Sequence, residues 1–203
     1  MIRFTYFDVG GVVIKDFTAN NKWQELEEEL GVAKDNSEAF VNFWDEHEDE
    51  LCSGYDAEVF FTLAKEKFNL KVPGNYSILE GFAKRFEANR FILPAIDKAR
   101  EKGKIGLLTN MYPGLLDIIF NKGLIPDVEW DAVVDSSVVK VAKPDFKIFE
   151  IAEERAGVKK EEILFVENSK MHVDGAKAFG WQAYLYDSAD FEKSTGELLR
   201  LIG

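Results

Sequence analysis

Arg3–Ile14 reads RFTYFDVGGVVI, and the fold class follows from this stretch. Phe4 to Val9 is an apolar, aromatic and β-branched run, the composition of a strand buried on both faces. It carries one carboxylate, Asp8, toward its C-terminal end and then breaks on Gly10 and Gly11. In open parallel sheets, ligands gather beyond the carboxyl ends of the strands, where loops shape a site. A carboxylate there, followed by glycines that let backbone come close to a ligand, stands where a nucleophile or metal ligand stands. Asp-x-Gly-Gly is also ordinary turn punctuation, in which Asp8 does no more than cap the turn. Three later stretches separate the two readings.

Outward from Ile14 the pattern turns helical. Asn20 can cap a helix carrying Trp23, Leu26 and Leu30, ended by Gly31. Ser37 can cap a second, with Phe40, Trp44, His47 and Leu51 on one stripe. Asp56 starts a third and Ser77 a fourth, with Pro73 and Gly74 between them. No strand pattern interrupts residues 16–90, so this segment is expected to be a small helical bundle inserted after the first strand. The acidic run DEHEDE at 45–50 reads most simply as a solvated helix face, and His47 as a structural residue on the apolar stripe.

From Pro94 onward helices and strands alternate. Strands are expected at Lys104–Leu108, Trp130–Val134, Ile163–Val166 and Trp181–Tyr186. Helices opened by Pro94, Pro113 and Pro144 lie between them, with another across Val173–Phe179. Together with the first strand, this predicts an α/β fold: a doubly wound, Rossmann-like parallel sheet of five strands, helices on both faces. The expected division is a core of residues 1–15 and 91–203 with a helical cap of residues 16–90.

Composition sets bounds on function. With 46% hydrophobic residues, 17 Phe and 4 Trp in 203 positions, the chain has ample material for a core and is not disordered. Lys plus Arg number 25 against 37 Asp plus Glu, a net charge of −12, which repels polyanions and argues against a nucleic-acid partner. A small phosphate ester is not excluded, since it needs only local cations, backbone N–H groups and a metal. The single cysteine, Cys52, makes neither an internal disulfide nor a zinc site. No basic-then-apolar leader pattern opens the chain and no apolar run approaches a membrane span, so a cytoplasmic protein without membrane contact is expected.

The chemistry-bearing residues fall at the ends of the expected strands. The second strand ends LLTN, placing Thr109 and Asn110 where the first places Asp8, and a hydroxyl and an amide there can hold an anionic oxygen. VAKPDFKIF follows, with Lys143 beside a Pro-initiated helix whose N-terminus favours anions. The fourth strand ends in Glu167 and Asn168, within ILFVENSKMHVDGAKAFGW. An acid there, facing Asp8 across neighbouring strand ends, supplies with it two oxygen ligands for Mg²⁺, and the Gly10 carbonyl can add a third.

Across nearly its whole length the chain resembles the haloacid dehalogenase-like hydrolase superfamily. Asp8 matches the first-motif nucleophile, Thr109 the second-motif hydroxyl residue and Lys143 the third-motif lysine, while FVENSKMHVDGAKAFGW matches the fourth motif. The resemblance, with the crossover rule, implies strand order 5-4-1-2-3 with Asp8 central and residues 16–90 as cap. It implies a Mg²⁺-dependent phosphatase for a small phosphorylated metabolite, working through an aspartyl-phosphate on Asp8. Asp8, Thr109 and Lys143 would be catalytic; Gly11, Thr109, Asn110 and Lys143 would bind phosphate; Asp8, Gly10, Glu167 and Asn168 would hold the metal. Two departures stand out. Gly10 replaces the family's usual second aspartate, the leaving-group acid, although some capped sugar-phosphate phosphatases have a similar glycine. Asn168 replaces a metal-binding aspartate, and a neutral oxygen there weakens Mg²⁺ binding. His172 stands where the family often has Asn or Asp and reads as outer-shell or structural. The alternatives are a non-catalytic relative that binds a phosphorylated ligand or partner, and a metal-free 2-haloacid dehalogenase, which usually has an aromatic at the Gly10 position. A monomer or a homodimer is expected.

Overall fold

The computed structural model describes residues 1–18 and 20–203. Its centre is a five-stranded parallel sheet built on β1 (Phe4–Phe7). Two short strands follow in the chain, β2 (Ile14–Lys15) and β3 (Glu87–Ala88), and then the rest of the main sheet: β4 (Lys104–Thr109), β5 (Ala132–Asp135), β6 (Ile163–Glu167) and β7 (Gln182–Leu185). Along the main sheet the order is β5-β4-β1-β6-β7, which is the expected 5-4-1-2-3 arrangement read from the other edge.

β1 is buried throughout because both of its edges are paired. Phe4 to Phe7 align with Lys104 to Leu107 on one side and Ile163 to Val166 on the other. Alternate side chains serve opposite faces. Phe4 and Tyr6 join Leu108, Phe149, Phe165 and Trp181 under one layer of helices. Phe7 joins Leu107, Leu164 and Val166 on the other, in a cluster continuous with Trp44, Phe60 and Phe82 of the inserted helices. The Tyr6 ring stacks on Trp181 at 5.7 Å, and its hydroxyl donates to the Ala152 carbonyl at 2.8 Å, so a polar tip is satisfied inside an apolar layer.

The α-helices between β2 and β3 are Lys22–Leu30, Ser37–Asp45, Glu48–Cys52, Ala57–Phe68 and Ile78–Ala83, and Leu93–Lys102 follows before β4. Asp56 and Ser77 cap theirs as expected: Asp56 accepts from the Glu58 and Val59 N–H groups, and Ser77 from that of Glu80. Four expectations need correction. The helix expected to run through Leu51 breaks at Glu46–His47; like charges four apart, Asp45 with Asp49 and Glu46 with Glu50, oppose a continuous turn there. Ser37 is not a cap but the first helical residue, its hydroxyl given to Glu27 Oε2 at 2.6 Å. The third sheet strand begins at Ala132 rather than Trp130, because Asp131 pairs with Ile105 through its carboxylate as well as its backbone N–H. Residues 16–90 do contain a strand: β3 pairs antiparallel with β2, Ile14 opposite Ala88 and Lys15 opposite Glu87. A C-terminal amphipathic helix, Phe191–Ile202, packs its Leu198 into the larger cluster. No helix among the described residues is long and apolar enough to cross a membrane.

Candidate active site

Five strands lying parallel bring their carboxyl ends to one edge, and the side chains singled out in the sequence meet there. Asp8 follows β1 directly; its N–H donates to the Val166 carbonyl at 2.9 Å, so the ladder with β6 carries it to the strand end. Thr109 closes β4 and Glu167 closes β6. Lys143 reaches in from the loop ahead of the Phe146–Ala156 helix. Asn110 holds that loop in place. Its amide N–H donates to the Lys143 carbonyl at 3.0 Å and its oxygen accepts the Lys143 N–H at 2.8 Å.

The Lys143 side chain is wholly buried, and its ammonium has three partners: Asp8 Oδ1 at 3.0 Å, Glu167 Oε2 at 2.6 Å and the Leu108 carbonyl at 3.1 Å. Burial alone would favour loss of its proton, but the Asp8 and Glu167 carboxylates outweigh that and hold it charged. For Glu167 burial pushes up, yet Lys143 and His172 dominate and hold the carboxyl down at about 2. Asp8 goes the other way. Burial, followed by the negative charge of Glu167, pushes it up to about 8 against the pull of Lys143. One cation facing two buried carboxylates cannot hold both ionised, and the pair resolves with the charge on Glu167.

The oxygens differ in what they have left to offer. Glu167 Oε2 faces Lys143 and the His172 ring at 3.3 Å, and Oε1 accepts the Ser169 N–H at 2.9 Å, so both are occupied by protein donors. Asp8 Oδ1 accepts from Lys143 and from the Val9 N–H at 2.8 Å, which leaves Oδ2 without a donor among the described residues. The Asn168 side chain has no hydrogen bond there either, and it lies against Gly11 so closely that a Cβ on Gly11 would fall 2.1 Å from its amide nitrogen. Gly11 has φ +70°, a conformation open to glycine, and the turn brings its backbone up to the Asn168 side chain. Among the described residues no three His, Cys, Asp or Glu side chains cluster as a metal site. A hard cation held by one carboxylate oxygen and neutral oxygens, its other positions left to water and a phosphate, is nevertheless a normal Mg²⁺ arrangement. The Asp8 carboxylate, Asn168 and the Gly10 carbonyl are the oxygens that fit that description, whereas Glu167 is committed to Lys143.

Above this strand edge lies a cavity of about 300 Å³. Gly10, Asn110 and Tyr112 line it from the core, and Trp23, Trp44, Asp45, Glu48, Phe82 and Phe86 from the inserted segment. A second, larger cavity of about 570 Å³ contains none of the strand-end residues. Three of its cations are paired with acids, Lys22 with Glu87 and both Lys84 and Arg85 with Glu29.

Four residues of the site escape a reading of the sequence. Asp16 lines the cavity, and its Oδ2 would stand 2.6 Å from a Cβ on Gly10, so its carboxyl fills the space beside the glycine. Burial pushes it up, opposed by the Thr18 N–H that its other oxygen accepts at 2.9 Å. Its signal was local and legible, an Asp two residues before Thr in a turn. Asn89, 1% exposed, donates to the Val12 carbonyl at 2.6 Å and takes the Phe91 N–H on its oxygen, which pins the loop after Gly11. The Ser188 hydroxyl donates to the Gly11 carbonyl at 2.7 Å. Ser136 links the two parts of the chain: its hydroxyl donates to the Cys52 carbonyl at 2.6 Å and accepts the Met111 N–H at 3.0 Å. For these three, partners distant in sequence left no local signal.

Residues 6–180 match the family model of the haloacid dehalogenase-like hydrolases. A haloacetate dehalogenase of a Moraxella species is 34% identical over 43% of this chain and 39% of its own length. A phosphatase of Mycobacterium tuberculosis is 33% identical over 46% of this chain and 44% of its own. The aligned region thus spans less than half the length of either curated relative. A HAD family enzyme of Bacteroides thetaiotaomicron, crystallised with magnesium and inorganic phosphate, superposes with a TM-score of 0.75 over 94% of this chain and 96% of its own, at 20% identity. At that identity the likeness concerns the fold.

Proposed function

The chain belongs to the haloacid dehalogenase-like hydrolase family, and from that premise we propose that it hydrolyses the phosphate monoester of a small metabolite with Mg²⁺ bound. The observation carrying this reading is Asp8: one oxygen fixed by Val9 and Lys143, the other free, at the central strand edge. A carboxylate oriented by one oxygen and open at the other is an aligned nucleophile. Bound Mg²⁺ would neutralise phosphate oxygens, and its charge favours the ionised form of Asp8.

Asp8 Oδ2 attacks phosphorus and the bond from phosphorus to the ester oxygen breaks, leaving an aspartyl-phosphate on Asp8. The departing oxygen needs a proton, and Asp16, whose carboxyl lies beside Gly10, is the acid in reach. Water then attacks phosphorus and passes a proton to the Asp16 carboxylate left by the first step, the bond from phosphorus to Asp8 Oδ2 breaks, hydrogen phosphate leaves, and the Asp8 carboxylate and Asp16 acid are both regenerated. Lys143, with all three of its contacts inside the protein, positions Asp8 and keeps Glu167 ionised. Thr109, 1% exposed at the end of β4, and the Gly11 turn flank the phosphate position. The Asn110 side chain, engaged at both ends, acts by fixing the Lys143 loop.

Dehalogenation fits the cavity less well. A haloacid is an anion that brings no metal, and no Lys, Arg or His lines the cavity to receive it. Phosphate release from a panel of phosphomonoesters, with Mg²⁺ and with chelator, tests the proposal. Release is expected with metal and not without it. No release from any ester, with wild-type Mg²⁺ binding intact, would refute it.

A further inference from the structure

We infer that the ester's leaving group is an organic cation, so that the preferred substrates are aminoalkyl or alkylammonium phosphates; this rests on the phosphatase reading and specifies its substrate class. The cavity wall carries three carboxylates, Asp16, Asp45 and Glu48, and no basic side chain. Asp16 is half-buried and Asp45 and Glu48 are exposed, and none of the three forms a salt bridge among the described residues. The single lysine at the strand edge is already spent on Asp8 and Glu167. Burial, and then the neighbouring Asp45, pushes Glu48 up from the ordinary carboxyl range; a cation entering the cavity would relieve that cost.

The remaining wall is aromatic. Trp23 and Trp44 approach Phe82 at 6.0 and 5.4 Å, and Phe82 approaches Tyr112 at 5.7 Å. Ring faces joined to carboxylates make the combination that favours ammonium groups, through quadrupole attraction and direct charge. A neutral sugar would stack on the same rings yet leave the Asp45 and Glu48 charges uncompensated, and an acidic metabolite would add to them. A second observation points to a ligand in this cavity. Trp44 is 1% exposed, lines the cavity, and its indole N–H has no acceptor among the described residues. Of the three buried indole N–H groups without an acceptor there, those of Trp44, Trp130 and Trp181, Trp44's is the one whose residue lines this cavity, and an ester or hydroxyl oxygen of a ligand would complete it.

The test compares an ω-aminoalkyl phosphate with the hydroxyalkyl phosphate of equal length, both with Mg²⁺. A kcat/KM ratio of about tenfold in favour of the amine is expected; a ratio below about threefold overturns the inference while leaving a phosphatase. In Asp45→Asn and Glu48→Gln the ratio should collapse toward one, and an unchanged ratio counts against the inference. Because both esters are assayed on one preparation, the ratio does not depend on the fraction folded. If neither ester is hydrolysed, both are titrated against the fluorescence of Trp23 and Trp44. Tighter binding of the amine ester keeps the cationic preference while the phosphatase reading falls. Equal binding, or none, overturns both.

Discussion

Replacing Lys143 by Met removes the one charge that makes the strand edge tolerable. The ammonium touches Asp8 at 3.0 Å, Glu167 at 2.6 Å and the Leu108 carbonyl at 3.1 Å from a side chain with no solvent contact. Met fills nearly the same volume, so the loss is electrostatic rather than a cavity. Asp8 is pushed up to about 8 and at neutral pH already holds its proton much of the time, so the deficit falls on Glu167. Breaking a buried pair by removing one partner costs about 3–5 kcal/mol. The pH dependence gives the sharper signature. In the wild type, Glu167 held down at about 2 contributes stability that is present above the ordinary carboxyl pKa and is lost as pH falls toward 2. In the variant only His172 is left to oppose burial, so the Glu167 carboxyl rises from there and the stability it contributes at neutral pH shrinks. The difference between the two proteins should therefore be largest at pH 7 and shrink toward pH 4. Urea unfolding at three pH values with unchanged m-values reads this directly. A cost under about 1 kcal/mol at pH 7, or one that grows in acid, would refute the charge assignment. Adding Glu167→Gln to the variant should restore most of the lost stability.

Asp8→Asn should abolish phosphate release, since an amide is no nucleophile here. It should also make the protein at least as stable as wild type above pH 8, because a carboxyl pushed up to about 8 costs stability as pH rises from its unfolded value to there; release and urea midpoints check both. Gly10→Asp puts a Cβ 2.6 Å from Asp16 Oδ2, so it should lower stability by about 1–3 kcal/mol and bring no gain on alkyl esters; Asp16→Ala in the same chain should relieve the clash. Gly11→Ala meets both an unfavourable φ of +70° and the Asn168 amide at 2.1 Å, and should weaken Mg²⁺ binding in a calorimetric titration along with stability. Asn168→Asp should tighten Mg²⁺ binding in the same titration, by adding a charged oxygen beside Asp8.

The sheet was legible because each strand advertises itself. Phe4–Phe7, Lys104–Thr109 and Ile163–Glu167 are short, mainly apolar runs that end in or lead directly into a polar residue, Asp8, Thr109 and Glu167, and that polarity located the strand edge as well as the strands. The meeting of Asp8, Lys143 and Glu167 could be anticipated for the same reason. Which oxygens stay free could not. Glu167 looked like a metal ligand because it is an acid at the right strand end, and only its contacts with Lys143, His172 and the Ser169 N–H commit it elsewhere. Asn110 looked like a phosphate ligand until both ends of its amide were seen on Lys143. Asp16 advertises a turn with Thr18, but nothing in that turn says that its carboxyl fills the space left open by Gly10. The two-residue strand Glu87–Ala88 is too short for periodicity, and its partner lies at the far side of the inserted helices.

That two-residue ribbon bears on how such a protein can change. The chain leaves the core through Ile14–Lys15 and returns through Glu87–Ala88 as neighbouring antiparallel strands, with Asn89 fastening the return to Val12. Departure and arrival points therefore lie side by side, and the span between them is set by one pair of strands rather than by the length of what hangs from them. Lengthening, shortening or exchanging the intervening helices leaves Asp8, Lys143 and Glu167 where the sheet puts them. Selectivity and chemistry are thus separable by heredity: the segment that lines the cavity can drift while the strand edge beneath it stays fixed.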